Sequence, residues 1–534
     1  MSLRGADVIA QKLAAFGCAH AFGIPGGEVL TIIDALRAAG IKFTLTRHEN
    51  FAGFMAEGAW HATGAPGILV ATIGPGVANA VNTIANAEQD RVPLIVLTGC
   101  VSDADADTYT HQVFDHGAVL APIVKATFKA SVETLDIVMD KALAIATTGQ
   151  PGPVHIDLPI PVADAPVTAG ATPPLPAPAP TAPTDSPLFA TAREWLATAE
   201  RPLVIAGVDA VNDGAGEALQ AFVRETGAPL ITSYKAKGLM REDDPLVLGG
   251  AGLSPRADKT LMPLIAQADC IVLAGYDPIE MRIGWRHPWP RDARVIDITP
   301  VTRTHGMHHA ALTLLGSVGP TLARLGEGTH RARWPGGEPA KTRAALAGAF
   351  APSGWGPGAA FHALRRSLPE NAVVTADSGA HRILLSQALP CFLPRTLLQS
   401  SALCTMGCSV ALAAGHKLAE PDTPVAAVVG DAGLDMVLGD LATVAALKRP
   451  VPIVVMIDDS LALIEMKQRA SQLPNLGVDF ERIDRVALAK AMGGHGVIVE
   501  DEETLEREMA AAQERPTFTL LAVMIGRRAY DGTF

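Results

Sequence analysis

Aromatic side chains make up only 5% of the 534 residues, and charged side chains only 18%. Together with 49% hydrophobic residues, this low charge excludes a disordered chain and indicates packed globular domains. The net charge is −12, so the sequence lacks the basic surface that nucleic-acid binding requires. We therefore expect no nucleic-acid partner.

Cysteine is scarce as well. The six cysteines include no CxxC pair, and the spacing of Cys404 and Cys408 is not completed into a zinc site by a second pair or a nearby His. No apolar run approaches the ~18 residues that a membrane helix needs, and the first residues show no signal-peptide pattern. We expect a cytoplasmic protein with free thiols and no membrane partner.

Glycine (50) and proline (40) are abundant, and the length suggests three or four domains. Pro and Ala dominate residues 163–187, which predicts an extended spacer. A weaker boundary at 327–356 leaves three blocks, at 1–162, 188–326 and 350–534.

Each block alternates runs rich in Val, Ile and Leu with amphipathic segments. This pattern predicts an α/β protein of three domains, each with a parallel sheet flanked by helices. Ligands of such sheets bind beyond the carboxyl ends of the strands, so functional residues are expected in the loops that follow the strands.

Two acidic motifs follow neighbouring strands of the third block. Gly430-Asp431-Ala432-Gly433 comes after one predicted strand, and Asp458-Asp459-Ser460 after the next. Carboxylates at one sheet edge are suitable oxygen ligands for Mg²⁺, which could hold a diphosphate. The alternative is an acidic turn that caps two helices.

Five further motifs lie in glycine-containing or polar loops of the first and third blocks. They are GIPGGE (23–28), TRHEN (46–50), IGPGVAN (73–79), ADSGAH (376–381) and CTMG (404–407). In this order, and with the acidic motifs, they resemble the thiamine-diphosphate-dependent acetolactate synthase and 2-keto-acid decarboxylase family over essentially the whole chain. Residues 110–115 resemble the corresponding segment of acetolactate synthases, and residues 275–280 resemble the catabolic, FAD-independent branch.

The resemblance implies a pyrimidine-binding, a central and a diphosphate-binding domain, with thiamine diphosphate and Mg²⁺ as cofactors and FAD unnecessary. It implies a carboligase that decarboxylates pyruvate and ligates the two-carbon unit to a second keto compound. A non-ligating 2-keto-acid decarboxylase or lyase is the alternative, and a flavin- or NAD-linked oxidoreductase a more distant one. The implied partners are 2-keto acid substrates and a second copy of the chain, in a homodimer with active sites at the subunit interface or in a homotetramer.

The resemblance also assigns residues. Glu49 matches the carboxylate that bonds to the aminopyrimidine, Gln112 a residue near the substrate, and Lys125 a cation that attracts the keto acid. Asp431 and Asp459 match the metal ligands, with Asp458 as the register alternative and the backbone of Leu461 completing the set. The expected cofactor-binding residues are Gly26, Gly27, Gly76, Asn79, Asp377, Gly379, His381, Thr405, Met406, Gly430, Ala432 and Gly433.

Each assignment has a structural alternative. Glu49 could be a helix-start charge, Met406 a core residue, Gln112 and Lys125 surface polarity, and His381 a structural histidine. Ala432 stands where the family has Gly. The roles of Glu28 and Glu465 stay open: Glu465 could donate a proton that releases an aldehyde, or could be a solvated charge at a helix start.

Overall fold

The computed structural model describes residues 3–168, 170–327 and 331–534. Three six-stranded parallel sheets flanked by helices occupy this part of the chain, which confirms the predicted α/β class. Residue 169 of the predicted spacer and residues 328–330 of the predicted second boundary lie outside the described residues. Where the chain is described, none of its helices combines the length and the apolar character needed to cross a bilayer.

The first sheet has the strand order β3-β2-β4-β5-β7-β6. Every residue of β4 and β5 is buried, as expected for central strands covered by helices on both faces. The elements are β1 (Leu3–Arg4), α1 (Gly5–Ala15), β2 (His20–Gly23), α2 (Leu30–Ala38), β3 (Lys42–Leu45), α3 (Glu49–Thr63), β4 (Gly67–Ala71), α4 (Pro75–Gln89), β5 (Leu94–Cys100), α5 (Asp103–Ala106), α6 (His116–Leu120), β6 (Ala126–Lys129), α7 (Leu135–Thr147), β7 (Pro153–Pro159), α8 (Ile160–Asp164) and β8 (Pro166–Val167).

The second sheet has the order β11-β10-β9-β12-β13-β14, so the strand order reverses between β9 and β12. Its elements are α9 (Pro187–Thr198), β9 (Pro202–Ala206), α10 (Val208–Asn212), α11 (Gly216–Thr226), β10 (Leu230–Ser233), β11 (Val247–Ala251), α12 (Pro255–Ile265), β12 (Cys270–Ala274), β13 (Arg294–Thr299), β14 (Leu312–Leu315) and α13 (Val318–Gly326).

The third sheet has the order β16-β15-β17-β18-β20-β19. Its elements are α14 (Glu338–Ala349), α15 (Pro357–Arg366), β15 (Val373–Ala376), α16 (Ala380–Ala388), β16 (Leu397–Gln399), α17 (Cys408–Ala419), β17 (Val425–Gly430), α18 (Asp431–Asp435), α19 (Leu441–Ala446), β18 (Val451–Ile457), α20 (Ala462–Ala470), α21 (Arg485–Ala491), β19 (His495–Val499), α22 (Glu502–Glu514) and β20 (Phe518–Met524).

The predicted spacer is tied down more than its composition suggested. β8, inside it, pairs antiparallel with β1. Residues 170–184 have no helix or strand, but the buried ammonium of Lys12 donates to the carbonyl and hydroxyl of Thr172 at 2.9 and 2.8 Å. Further on, the backbone N–H of Thr181 donates to Ser317 in the second domain. The spacer is therefore an extended strap held at both ends.

The first and third domains meet where α3 packs on α17. A Cβ added to Gly58 would lie 2.2 Å from the carbonyl oxygen of Leu412, and one added to Gly415 would lie 2.0 Å from that of Met55. The two glycines allow the helix backbones to approach this closely. One apolar core includes Phe54 and Met55 of the first domain together with Leu412 of the third.

Candidate active site

Asp431 and Asp458 lie together at the carboxyl ends of adjacent strands β17 and β18. Both are buried, at 2% and 4% exposure, and both line one open cleft with Met406. Burial and the charge of Asp431 raise the pKa of Asp458 to about 8. The structure thus brings two carboxylates to one point, as expected of a cation site.

Asp459, the preferred metal ligand in the sequence analysis, faces elsewhere. Its Oδ2 accepts from Nε of Arg482 at 3.0 Å and from Nη2 at 2.5 Å, while its N–H donates to Asp431 at 2.8 Å. The structure therefore favours the register alternative, Asp458.

Leu461 is contradicted as the backbone ligand. Its carbonyl accepts from the N–H groups of Ile464 at 2.8 Å and Glu465 at 3.0 Å, because Leu461 is the residue before α20. The carbonyl of Ser460, which also lines the cleft, accepts no hydrogen bond from any described residue.

Glu465 is held in an ion pair. Both carboxylate oxygens accept from Arg469, at 3.1 and 2.9 Å, and these hydrogen bonds lower the pKa of Glu465. An ionised, paired carboxylate is a poor proton donor, which argues against the proton-donating role considered for it.

Asp377 organises the floor of the cleft from below. It is fully buried, and it bonds to Nε2 of His381 at 2.7 Å and to the N–H groups of Gly407 at 2.7 Å and Gly430 at 3.2 Å. A Cβ added to Gly433 would lie 2.1 Å from Asp377, so only glycine fits there. Asp377 thus positions the backbone of two loops and the ring of His381, and it is too buried to face a ligand.

The remaining predicted cofactor-binding residues of the third domain lie in two places. Gly379, His381, Gly430, Ala432 and Gly433 line the cleft with Met406. Thr405 instead lies at the contact between domains, where its hydroxyl and the amide of Asn82 are 3.2 Å apart.

Glu49 is the first residue of α3 and is buried in the first domain. His48 caps the helix by accepting from the N–H of Asn50 at 3.1 Å. The amide of Asn79 donates to Oε2 of Glu49 at 3.0 Å, and a Cβ on Gly76 would lie 3.4 Å from Oε1. The structure thus brings Glu49, Gly76 and Asn79 together.

Gly26 and Glu28 lie beside this group. A Cβ added to Gly26 would lie 2.1 Å from the hydroxyl oxygen of Thr72, and that hydroxyl donates to Glu28 at 2.6 Å. Gly27 has no heavy atom within 4 Å of the position its Cβ would take, so its outer side is open.

Of the two other predicted catalytic residues, Gln112 lies next to the group around Glu49 and Lys125 does not. Gln112 is exposed with φ +60°, and its carbonyl packs against Gly74. Lys125 precedes β6 and donates to the carbonyls of Thr148 at 2.9 Å and Gln150 at 2.7 Å. It lies at the amino edge of the sheet, opposite the edge that carries Glu49, which contradicts the substrate-attracting role predicted for it.

Sequence reasoning missed a buried network under the Gly74 loop. The N–H of Gly74 donates to Nε2 of His116 at 3.2 Å, and Nδ1 of His116 bonds to Asp157 at 2.8 Å. Thr98 bonds to Asp157 at 2.5 Å and to His155 at 2.7 Å. Since Nε2 of His116 is an acceptor, its proton is on Nδ1, and this set is a hydrogen-bond network rather than a metal centre. The chain separation of these residues left no local signal in the sequence.

Family comparisons agree with the three-sheet architecture. The thiamine pyrophosphate enzyme N-terminal TPP binding domain matches residues 3–119, the central domain 189–325 and the C-terminal TPP binding domain 377–523.

Similar proteins extend over almost the whole chain. It is 28% identical over 515 residues to acetolactate synthase of Bacillus subtilis (strain 168), covering 94% of this chain and 90% of that protein. It is 31% identical over 563 residues to the acetolactate synthase large subunit of Parasynechococcus marenigrum (strain WH8102), covering 98% and 88%. It is also 31% identical over 532 residues to the probable 2-ketoarginine decarboxylase of Pseudomonas aeruginosa, covering 97% and 94%.

The chain therefore belongs to the thiamine pyrophosphate enzyme family. Within that family it is a thiamine-diphosphate-dependent enzyme of the acetolactate synthase type.

Proposed function

We propose that this enzyme is a Mg²⁺-dependent carboligase that decarboxylates pyruvate and joins the two-carbon unit to a second keto compound. The observation that carries the proposal is the cleft in which Asp431, Asp458 and Met406 lie together. The cleft belongs to the region matched by the C-terminal TPP binding domain. Similarity to acetolactate synthases over nearly the whole chain supports the ligating chemistry.

Thiamine diphosphate supplies, when bound, a carbanion at C2 that attacks the keto carbon of the substrate. We propose that the carboxyl group of Glu49 shares a proton with the aminopyrimidine ring of the cofactor. Asn79 fixes Oε2 of Glu49, and Oε1 has no hydrogen-bond partner among the described residues. The oriented, buried carboxylate therefore keeps one oxygen for the cofactor.

We assign Mg²⁺ to Asp431, Asp458 and the carbonyl of Ser460. These groups supply oxygen ligands only, which is the donor set that Mg²⁺ prefers. Two adjacent buried carboxylates are also stabilised by a divalent cation. Gly430 and Gly433 line the cleft beside these ligands, where a diphosphate would meet the backbone at the start of α18.

The active unit is proposed to be a homodimer, with a homotetramer as a further possibility. All residues that line the cleft belong to the third domain, whereas Glu49 lies in the first. Large exposed apolar side chains flank both halves: Leu30 (58% exposed) and Leu45 (47%) near Glu49, and Met436 (66%) and Ile464 (44%) near the metal site. A second copy would cover these side chains while bringing the halves together.

Complementation between inactive variants tests this arrangement. A site shared between subunits predicts that Glu49→Gln and Asp458→Ala chains, each inactive alone, regain activity when mixed. Random exchange would give one intact site in each mixed dimer, or about a quarter of the wild-type activity. No recovery despite proven subunit exchange would show that both residues act within one chain.

The central domain is proposed to act without FAD. Dinucleotides bind where the strand order of such a sheet reverses, here between β9 and β12. That crevice contains Arg303 bonded to Asp209 at 3.0 Å, and Arg91 of the first domain bonded to Asp277 at 3.0 Å. Gln150 donates to both carboxylates. These side chains fill the space that a nucleotide would need, and this also argues against the oxidoreductase alternative. A flavin absorption band in the purified protein would contradict the assignment.

The second candidate is a non-ligating 2-keto-acid decarboxylase. It is favoured by the similarity to the probable 2-ketoarginine decarboxylase. Glu28, bonded to Thr72 beside the Glu49 group, is the acidic side chain that could support it.

Product analysis separates the two candidates. The enzyme is incubated with thiamine diphosphate, Mg²⁺ and a panel of 2-keto acids, singly and in pairs, with the Glu49→Gln variant as control. Acetolactate or another ligated product from pyruvate supports the carboligase. An aldehyde as the sole product supports the decarboxylase, and absence of thiamine diphosphate binding would refute both.

A further inference from the structure

The segment 525–534, which follows β20, crosses the edge of the third sheet where the cleft opens. Tyr530 in this segment is 2% exposed and lines the same cleft as Asp431 and Asp458. Its hydroxyl oxygen is buried and has no hydrogen-bond partner among the described residues. A buried hydroxyl without a partner is unfavourable, and a ligand bound in the cleft would supply the missing hydrogen bond.

The surrounding contacts fix the position of this side chain. Asp531 accepts two hydrogen bonds from Arg469, at 2.8 and 2.7 Å. The carbonyl of Tyr530 accepts from the N–H of Thr533 at 3.1 Å, and the indole of Trp355 donates to the carbonyl of Met524 at 2.9 Å. The segment is therefore anchored on both sides of Tyr530.

The hydroxyl of Tyr530 is suited to donate a hydrogen bond to an anionic ligand. A phenol is protonated at neutral pH and can donate one hydrogen bond. One oxygen of Asp431 accepts from the N–H of Ala432 and the other from the N–H groups of Asp458 and Asp459, and the acceptor capacity that remains is assigned to Mg²⁺. The anion that the proposed function brings into the cleft is a diphosphate.

We propose that the hydroxyl of Tyr530 donates a hydrogen bond to the diphosphate group of the bound cofactor. Tyr530 is thereby a cofactor-binding residue that the segment after β20 supplies to the cleft. The inference rests on the proposed site at Asp431 and Asp458. It adds a side-chain donor to the cleft that Gly430 and Gly433 also line.

The test is the Tyr530→Phe variant, measured by isothermal titration calorimetry with thiamine diphosphate and with inorganic diphosphate, both in the presence of Mg²⁺. Loss of one hydrogen bond to a charged group should weaken binding of both probes about 10- to 100-fold. Tyr276→Phe is the matched control, because Tyr276 is also fully buried with an unpartnered hydroxyl but lies in the central domain. It should bind both probes like the wild type.

Thermal unfolding without cofactor separates binding from folding. Because the deleted hydroxyl has no partner, cofactor-free Tyr530→Phe should unfold at or above the wild-type temperature. Wild-type binding of both probes by this variant would overturn the inference while leaving the proposed function intact. Failure of the wild type itself to bind thiamine diphosphate would instead refute the proposed function.

Discussion

Glu57 lies in the middle of α3, 2% exposed, two turns beyond Glu49. It accepts from the amide of Asn86 at 3.0 Å. The nearby ammonium of Lys235 is 3.2 Å from the carboxylate of Asp90, and burial keeps the pKa of His61 well below its usual value. With Lys235 already paired, burial raises the pKa of Glu57 to about 8. The folded environment therefore keeps Glu57 protonated to a higher pH than the unfolded chain does.

The effect of Glu57 on stability follows from the linkage between proton binding and folding. In the unfolded chain Glu57 ionises near its ordinary pKa of 4.5, whereas in the folded protein it keeps its proton to about pH 8. The unfolded state therefore gains about 1.4 kcal/mol over the folded state for each pH unit in this window. The contribution of protonated Glu57 is fully present below pH 4.5 and falls by a few kcal/mol as the pH rises through 8.

Glu57→Gln removes this titration while keeping the shape and an oxygen acceptor for Asn86. We expect the variant to gain stability over the wild type as the pH rises from 5 to 9, with little difference at pH 5. Urea unfolding at several pH values measures the difference. Glu514→Gln, an exposed site, is the control and should follow the wild-type profile. Parallel pH profiles for the wild type and Glu57→Gln would refute the reasoning.

Three further predictions concern the site. Glu49→Gln should bind thiamine diphosphate normally but slow exchange of the cofactor C2 proton by about 10²- to 10⁴-fold, measured by NMR; near-normal exchange would exclude the assigned role. Asp458→Ala should weaken Mg²⁺-dependent thiamine diphosphate binding by about 10- to 100-fold. Asp459 has φ +54°, a left-handed conformation that asparagine also tolerates, so Asp459→Asn should bind thiamine diphosphate nearly as the wild type does. The reverse order would identify Asp459 as the metal ligand. His116→Phe leaves the Gly74 N–H without its partner, which costs about 1–3 kcal/mol, and removes one of the partners of Asp157, which keeps its bond to Thr98. We therefore expect a lower unfolding temperature and a higher KM for thiamine diphosphate; unchanged values would show that the network does not position the loop.

The sequence predicted the strand-end motifs because each is local. A buried run of Val and Ile followed by glycine and a carboxylate is readable from consecutive residues. Asp431 and Glu49 are of this kind, and the structure places both at carboxyl edges of sheets. The three-sheet fold follows from the same alternation of apolar runs and amphipathic segments.

The sequence could not show which residue of a motif faces the site. Asp458 and Asp459 are chemically identical neighbours, and successive side chains leaving a strand point to opposite sides. Only the tertiary position of Arg482 shows which one turns away from Asp431. The same holds for Leu461, whose carbonyl is taken up by the start of α20, a boundary that sequence patterns locate only to within a few residues.

By itself, then, the sequence determined the α/β class, the order of the motifs and the chemical types that the site contains, because these depend on short-range periodicity. The tertiary structure decided which groups meet. It separated Lys125 from the site by placing it at the opposite edge of the sheet, paired Glu465 with Arg469, and brought Tyr530 over the cleft. Such contacts join residues distant along the chain, and they are set by packing and charge pairing that no local pattern encodes.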